Sequence, residues 1–166
     1  YRKINDEEYL NELRVKYKKS YIIPEGGTNS LAIKGTEEII KSDEKFEYIC
    51  CPIGTGGTIS GLINSSNHNQ KIIGFSAIKG VKNIIDNISK NVNKDNWYIN
   101  DDYCQNGYAK ISNDLIDFIY NFYETKNIPL DAIYTGKMMM GVIDQIKKNR
   151  FISGSNVLII HTGGIQ

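Results

Sequence analysis

Little in this sequence of 166 residues points to a metal, a membrane or a nucleic acid. It holds two histidines and three cysteines, and their spacing matches no zinc pattern and no disulfide framework. Cys50 and Cys51 are adjacent in an apolar run, so they are expected to point to opposite faces of a strand and to pack in a core. A reducing, cytoplasmic setting is the expectation. No apolar run approaches the roughly 20 residues that cross a bilayer, and no secretory leader is visible. Twenty basic residues face nineteen acidic ones for a formal charge of +1, too even a balance for electrostatic binding of nucleic acid. Basic runs such as Lys16 to Lys19 and Lys147 to Arg150 read as solvated helix ends. Repeats, low-complexity segments and linkers are absent as well. The length suits one domain with a sizeable core.

What is present centres on Tyr48-Ile49-Cys50-Cys51-Pro52-Ile53, an apolar run too short for a helix, followed by Gly54-Thr55-Gly56-Gly57-Thr58. This reads as a buried strand, a glycine turn and the start of a helix. Glycines let a ligand approach the main chain closely. Thr58 is positioned to cap the helix, whose free N–H groups favour an anion. An ordinary tight βα turn would also use such glycines. The P-loop pattern would close with Lys-Ser/Thr, where this chain has Thr58-Ile59. A dinucleotide site would want glycine at Ile59 and an acidic residue ending the next strand; that strand, Lys71 to Ile78, runs into Lys79 with no carboxylate. A small phosphorylated cofactor suits the loop better than NAD or ATP.

Along the rest of the chain, helical spacing predicts helices over Asp6 to Lys19, after the Pro24 to Ser30 loop through about Lys41, and over Val81 to Val92, Asp114 to Thr125 and Lys137 to Lys148. Strands are expected at Tyr21 to Ile23, Ile72 to Ala77, Trp97 to Tyr103 and Val157 to Ile160. Alternating strands and helices imply a doubly wound, mostly parallel sheet with helices on both faces, a three-layer αβα domain over 1–166. Ligands of such sheets bind beyond the carboxyl ends of the strands. Five polar loops are expected there, each after a strand: Glu25 to Asn29, Gly54 to Thr58, Gln105 to Tyr108, Tyr134-Thr135 and Thr162 to Gly164.

The order of Pro24-Glu25-Gly26-Gly27, Gly54-Thr55-Gly56-Gly57-Thr58, Gly107-Tyr108, Ile133-Tyr134-Thr135-Gly136-Lys137 and His161-Thr162-Gly163-Gly164 resembles the 1-aminocyclopropane-1-carboxylate deaminase and D-cysteine desulfhydrase family. Those proteins are fold type II pyridoxal-phosphate enzymes. The resemblance runs from about Tyr21 to Gln166. It implies pyridoxal phosphate as cofactor, held by main-chain N–H groups of Gly54, Thr55, Gly56, Gly57 and Thr58. Thr135, Thr162 and Gly163 join them, with Thr162 near the pyridine nitrogen, where a hydroxyl leaves that nitrogen largely unprotonated. Tyr108 and Tyr134 match positions on the substrate side, suited to proton transfer or to orienting a carboxylate. Thr135 and Thr162 together look like the desulfhydrase branch, since ring-opening members carry glutamate and leucine there. A small amino-acid substrate, ammonia and a 2-oxo acid as products, and a homodimer are further implications.

One family motif is not in these 166 residues: the Asn-Lys whose lysine forms the Schiff base, with the small domain that follows it. The chain starts at Tyr1, so it is expected to be the large-domain part of a longer enzyme and inactive alone. A truncated, non-catalytic phosphate-binding module predicts the same loops, and an unrelated nucleotide-binding domain is the third reading. Lys137 fits the family's own lysine after Thr-Gly and is expected to be structural, with Lys34 and Lys110 solvated. His161 is expected to hold structure by hydrogen bonds, and His68 to lie in a surface loop. Cys104 lies near the Tyr108 loop, and Met138-Met139-Met140 is expected to pack against the sheet.

Overall fold

A computed structural model describes residues 6–41 and 45–164; Ile165 and Gln166, at the end of the last expected motif region, lie outside them. Helix α1, Glu7–Lys16, is capped by Asp6, whose side chain accepts from the Glu8 N–H, and has glutamates first and Arg14 and Lys16 last. That order suits the helix dipole. None of its residues is fully buried; Tyr9, Leu10 and Leu13 of the apolar set are half-buried and Tyr17 is exposed.

The run Tyr21 to Ile23, expected as a strand, is not one. Among the described residues no strand lies beside it, and Tyr21 and Ile23 are exposed. A short apolar run becomes a strand only when a neighbour takes its main-chain hydrogen bonds. It enters a 3₁₀ turn at Glu25–Gly27. Helix α2, Ser30–Thr36, then starts from Asn29, whose side chain accepts from the Ala32 N–H. Beyond Thr36 the chain continues in turns, so this helix stops short of the expected Lys41.

Strand β1, Tyr48–Ile53, is buried over all but its first residue. Helix α3, Gly57–Ser65, follows, then strand β2, Lys71–Ser76, helix α4, Lys82–Ser89, and strand β3, Trp97–Asn100. β3 ends before the expected Tyr103 because the Asn100 side chain accepts from the Asp102 N–H at 2.9 Å and folds the chain into a turn. Helices α5, Asn113–Lys126, and α6, Thr135–Lys147, precede the last strand, β4, Val157–Ile159.

The four strands are all parallel, in the order β3-β2-β1-β4. Alternation along β1 feeds two cores. Ile49, Cys51 and Ile53 pack with Ile59, Leu62 and Ile63 of α3 and Ile84 and Ile88 of α4 on one face. Cys50, with Ile73 and Phe75 of β2, packs against Met138 and Val142 of α6 on the other. Helices thus cover both faces, and the expected three-layer architecture is the observed one. Cys50 and Cys51 are fully buried on opposite sides, and burial pushes the Cys50 thiol up to about 12, leaving it inert at neutral pH. No helix among the described residues is long and apolar enough to cross a membrane.

Candidate functional site

The carboxyl end of β1 opens on a cleft of about 390 Å³, lined among others by Gly26, Gly27, Thr28, Gly54 to Ile59, Tyr134 and Thr162 to Gly164. Parallel strands put the starts of their following helices on one edge, and here that edge is α3. The cap of α3 is Gly56 in a left-handed conformation, with φ +96° and no side-chain cap. The sequence expectation of a Thr58 cap is therefore corrected: the helix starts one residue before Thr58, and a glycine makes the turn.

The first helical bond runs from the Ser60 N–H to Gly56 O, 3.1 Å. The N–H groups of Gly57, Thr58 and Ile59 precede it, and such amides have no partner within their own helix. They point an anion-favouring end of the dipole at the cleft. Among the described residues no lysine or arginine lines the cleft, so a phosphate here would be met by main chain and hydroxyls.

Two contacts show how tightly the cradle is drawn. A Cβ built on Gly57 would sit 2.8 Å from Thr28 Oγ1, and one on Gly54 would sit 3.3 Å from Tyr134 Oη. Thr28 and Thr55 share a hydroxyl–hydroxyl hydrogen bond of 2.6 Å across the mouth. The 3₁₀ turn and the α3 start are thereby joined, and the space between them suits a small group. The residues present fit a phosphorylated ligand. Gly56→Ala should test this turn, since a left-handed non-glycine residue costs about 1–2 kcal/mol and the new methyl would meet Ile88 Cγ1 at 2.9 Å. Urea unfolding should show a loss of about 2 kcal/mol.

The wall opposite is organised by Asp131. Its Oδ1 accepts from the N–H groups of Ile133 (2.8 Å) and Tyr134 (2.6 Å), and its Oδ2 from the Thr135 N–H (2.8 Å) and hydroxyl (2.6 Å). Burial acts to raise its pKa, but the bonds from Thr135, Tyr134 and Ile133 outweigh it and hold the carboxyl below the usual range. These bonds turn the chain into α6 and aim Tyr134 at Gly54. The same Asp131 side chain lies beside the second of two left-handed glycines, Gly163 and Gly164.

The turn at those glycines is tied by His161. Its Nδ1 accepts from the Gly163 N–H at 3.1 Å, and its Nε2 meets Pro129 O at 2.8 Å. A carbonyl can only accept and an amide N–H can only donate, so the imidazole carries its proton on Nε2. His161 holds structure, as expected.

Of the residues expected on the cofactor, Gly54, Thr55, Gly56, Gly57, Thr58, Thr162 and Gly163 all line the cleft. Thr135 does not: it is fully buried, with its hydroxyl tied to Asp131. Of the two tyrosines, Tyr134 lines the cleft and Tyr108 does not. Tyr108 is exposed beyond it, with its ring edge-on to Tyr134 at 6.1 Å. Burial first, then a hydrogen bond with Tyr108 and the charge of Asp131, push the Tyr134 phenol up to about 12. Tyr134 is therefore a proton-bearing phenol at neutral pH. Two expected strand-end loops do not follow strands: the Glu25 and Tyr134 loops reach the cleft from irregular chain.

Comparison with protein families matches residues 4–163 to the pyridoxal-phosphate dependent enzymes. This chain belongs to that family. The cofactor expected from the resemblance, pyridoxal phosphate, is thus the family's own. A putative 1-aminocyclopropane-1-carboxylate deaminase of Thermotoga maritima is 33% identical over 90% of this chain and 53% of its own length. A bifunctional D-cysteine desulfhydrase/1-aminocyclopropane-1-carboxylate deaminase of Arabidopsis thaliana, described as mitochondrial, is 30% identical over 99% of this chain and 47% of its own. The chain therefore spans about half the length of these relatives. A crystal structure described as an ACC deaminase homologue superposes with a TM-score of 0.80 and 28% identity, over 96% of this chain and 54% of that one. A serine racemase from Dictyostelium discoideum shares the fold, with a TM-score of 0.54.

Gly26, Gly27, Thr28 and Asp131 are contributors not singled out individually from the sequence. The Glu25 to Asn29 loop signalled the first three. Asp131 carried a weaker signal, an acidic residue shortly before a helix start.

Proposed function

We propose that the cleft binds pyridoxal phosphate, with its phosphate on the α3 start and its ring between Tyr134 and the Thr162-Gly163 turn. The observation that carries this is the Gly54 to Thr58 loop at the end of β1, facing Tyr134 and Thr162 across one cleft in a chain of this family. When bound, that cofactor supplies an electron sink for reactions at an amino acid's α-carbon. The residues of this chain would do the rest. Main-chain N–H groups of Gly57, Thr58 and Ile59 would fix the phosphate, and Thr28 and Thr55 would close over it. Tyr134, kept protonated by its surroundings, would present a hydroxyl to the substrate, with the Tyr108 ring packed edge-on beside it.

The intact protein, on this reading, is a deaminase or carbon–sulfur lyase acting on a small amino acid of the D-cysteine or 1-aminocyclopropane-1-carboxylate type. It would release ammonia and a 2-oxo acid. The threonines at 135 and 162 favour D-cysteine. A second reading, a phosphate-ligand module without chemistry, is favoured for the isolated chain by one observation. Among the described residues no lysine lines the cleft, and Lys137, the one buried lysine among them, is hydrogen-bonded elsewhere. This chain alone would then bind cofactor without turning over substrate.

Titration of the chain with pyridoxal phosphate, and in parallel with pyridoxal, tests the cleft assignment by absorbance and fluorescence. Removing the phosphate should weaken binding by more than roughly tenfold, since several charge-assisted hydrogen bonds are lost. Equal binding of the two would sink the phosphate assignment. Borohydride reduction should label lysines only in a scattered, sub-stoichiometric way, whereas stoichiometric labelling of one lysine would overturn the second reading.

A further inference from the structure

Lys137 opens α6 with its side chain 1% exposed, an unusual fate for an ammonium group without a carboxylate partner. Its Nζ donates to three main-chain carbonyls, Gly107 O at 2.9 Å, Cys104 O at 3.0 Å and Ala77 O at 3.3 Å. Ala77 follows β2, and Cys104 and Gly107 belong to the loop after β3 that carries Tyr108. One cation thus joins α6 to the ends of two strands. Burial lowers the Lys137 pKa below the ordinary lysine value, while Cys104 and Asp131 act the other way.

The loop it holds is not one the chain would choose unaided. Gln105, Asn106 and Ala109 have φ of +57°, +66° and +55°, the left-handed region that side chains other than glycine disfavour. Such backbone persists only where its surroundings over-determine it. The Cys104 and Gly107 carbonyls each do double duty. Cys104 O also accepts from the Gly107 N–H at 3.0 Å, and Gly107 O from the Lys110 N–H at 3.2 Å. Two successive turns therefore close around one ammonium.

We propose that Lys137 is a positioning residue: a tethered internal cation that holds the 104–110 loop so that the Tyr108 ring stays edge-on against Tyr134. This rests on the reading of Tyr134 as the substrate-facing hydroxyl, but its structural half can be tested without cofactor or substrate. Lys137→Met keeps the stem and removes the charge. Loss of charge-assisted hydrogen bonds of this kind should speed hydrogen exchange at the Gly107 and Lys110 amides by roughly tenfold or more. Exchange in β1 and α3 should stay as it was. In Lys137→Ala, propylammonium should restore the protection, because it returns the three missing carbons and the ammonium to the three carbonyls. Unchanged exchange at Gly107 and Lys110, a uniform rise over the whole chain, or no rescue would each overturn the proposal.

If the variants fail to fold, 15N-lysine spectra of the unaltered chain decide it. Lys137 should give a slowly exchanging ammonium resonance, and exchange as fast as that of surface lysines would overturn the assignment. In the intact enzyme, the Lys137→Met and Tyr108→Phe losses in kcat should not add, since both act through Tyr108; additive losses would refute that route. Failure of the pyridoxal-phosphate titration with local exchange as expected would instead sink the cleft reading and leave the cation intact.

Discussion

Asp131→Ala is expected to cost about 3 kcal/mol of folding stability, because four hydrogen bonds to one carboxylate go at once and three main-chain N–H groups lose their acceptor. Helix capping alone would account for about 1 kcal/mol of this. Asp131→Asn should cost roughly half as much. Its amide oxygen can still serve Ile133 and Tyr134, while its NH₂ group would face the Thr135 N–H, donor against donor. Urea unfolding of the three proteins at neutral pH measures both differences. An Asn variant as weak as Ala would mean that charge, rather than the geometry of acceptance, carries the turn.

The pH dependence follows from the same carboxylate. Its folded value lies below its unfolded one, so the unfolded chain takes up the proton first as pH falls. The stabilisation is therefore complete above the ordinary carboxylate value of about 4 and is lost as pH drops through the lower, folded value. Removing Asp131 should flatten the acid limb of the stability curve below about pH 4 and leave it unchanged near neutrality in slope. A variant whose acid limb matched the parent's would assign the acid sensitivity to other carboxylates.

Asp131 also shows where sequence reasoning ran out. The strand and glycine loop at Tyr48 to Thr58 were legible because everything that defines them is local: an apolar run, then three glycines, then a helix start. α5 was legible for the same reason, with Leu115, Phe118, Ile119 and Phe122 at helical spacing. The Tyr21 to Ile23 run was not, since strand formation depends on a neighbour that no local pattern reveals. Asp131 binds its own neighbours two to four residues on, yet its importance comes from what those neighbours face. The turn it builds brings Tyr134 to Gly54, a residue eighty positions earlier. The family pattern marks Lys137 as structural, but the three carbonyls it serves come from two distant loops. Local motifs gave one half of the cleft, and tertiary packing supplied the other.

Tyr134→Phe in the intact enzyme should lower kcat by roughly 10²–10⁴, the range for removal of a proton-transferring group, with KM changed far less. Phenylalanine keeps the ring that lies edge-on to Tyr108 at 6.1 Å, so the loss would report the hydroxyl and not the packing. The pH profile separates its possible roles. With the phenol pushed up to about 12, the group is protonated throughout the neutral range and, on the proposed reading, would act by donating. Activity that depends on it should then show no alkaline limb from Tyr134 below about pH 11. Tyr134 also titrates later when folded than when unfolded, where tyrosine lies near 10. Its share of stability is accordingly full below about pH 10 and is lost as pH rises through the folded value. An alkaline limb near pH 8–9 that vanished in Tyr134→Phe would mean that cofactor and substrate pull this phenol down and make it the base. A Phe variant with unchanged kcat would remove Tyr134 from the chemistry and leave it as the wall against which the Gly54 cradle closes.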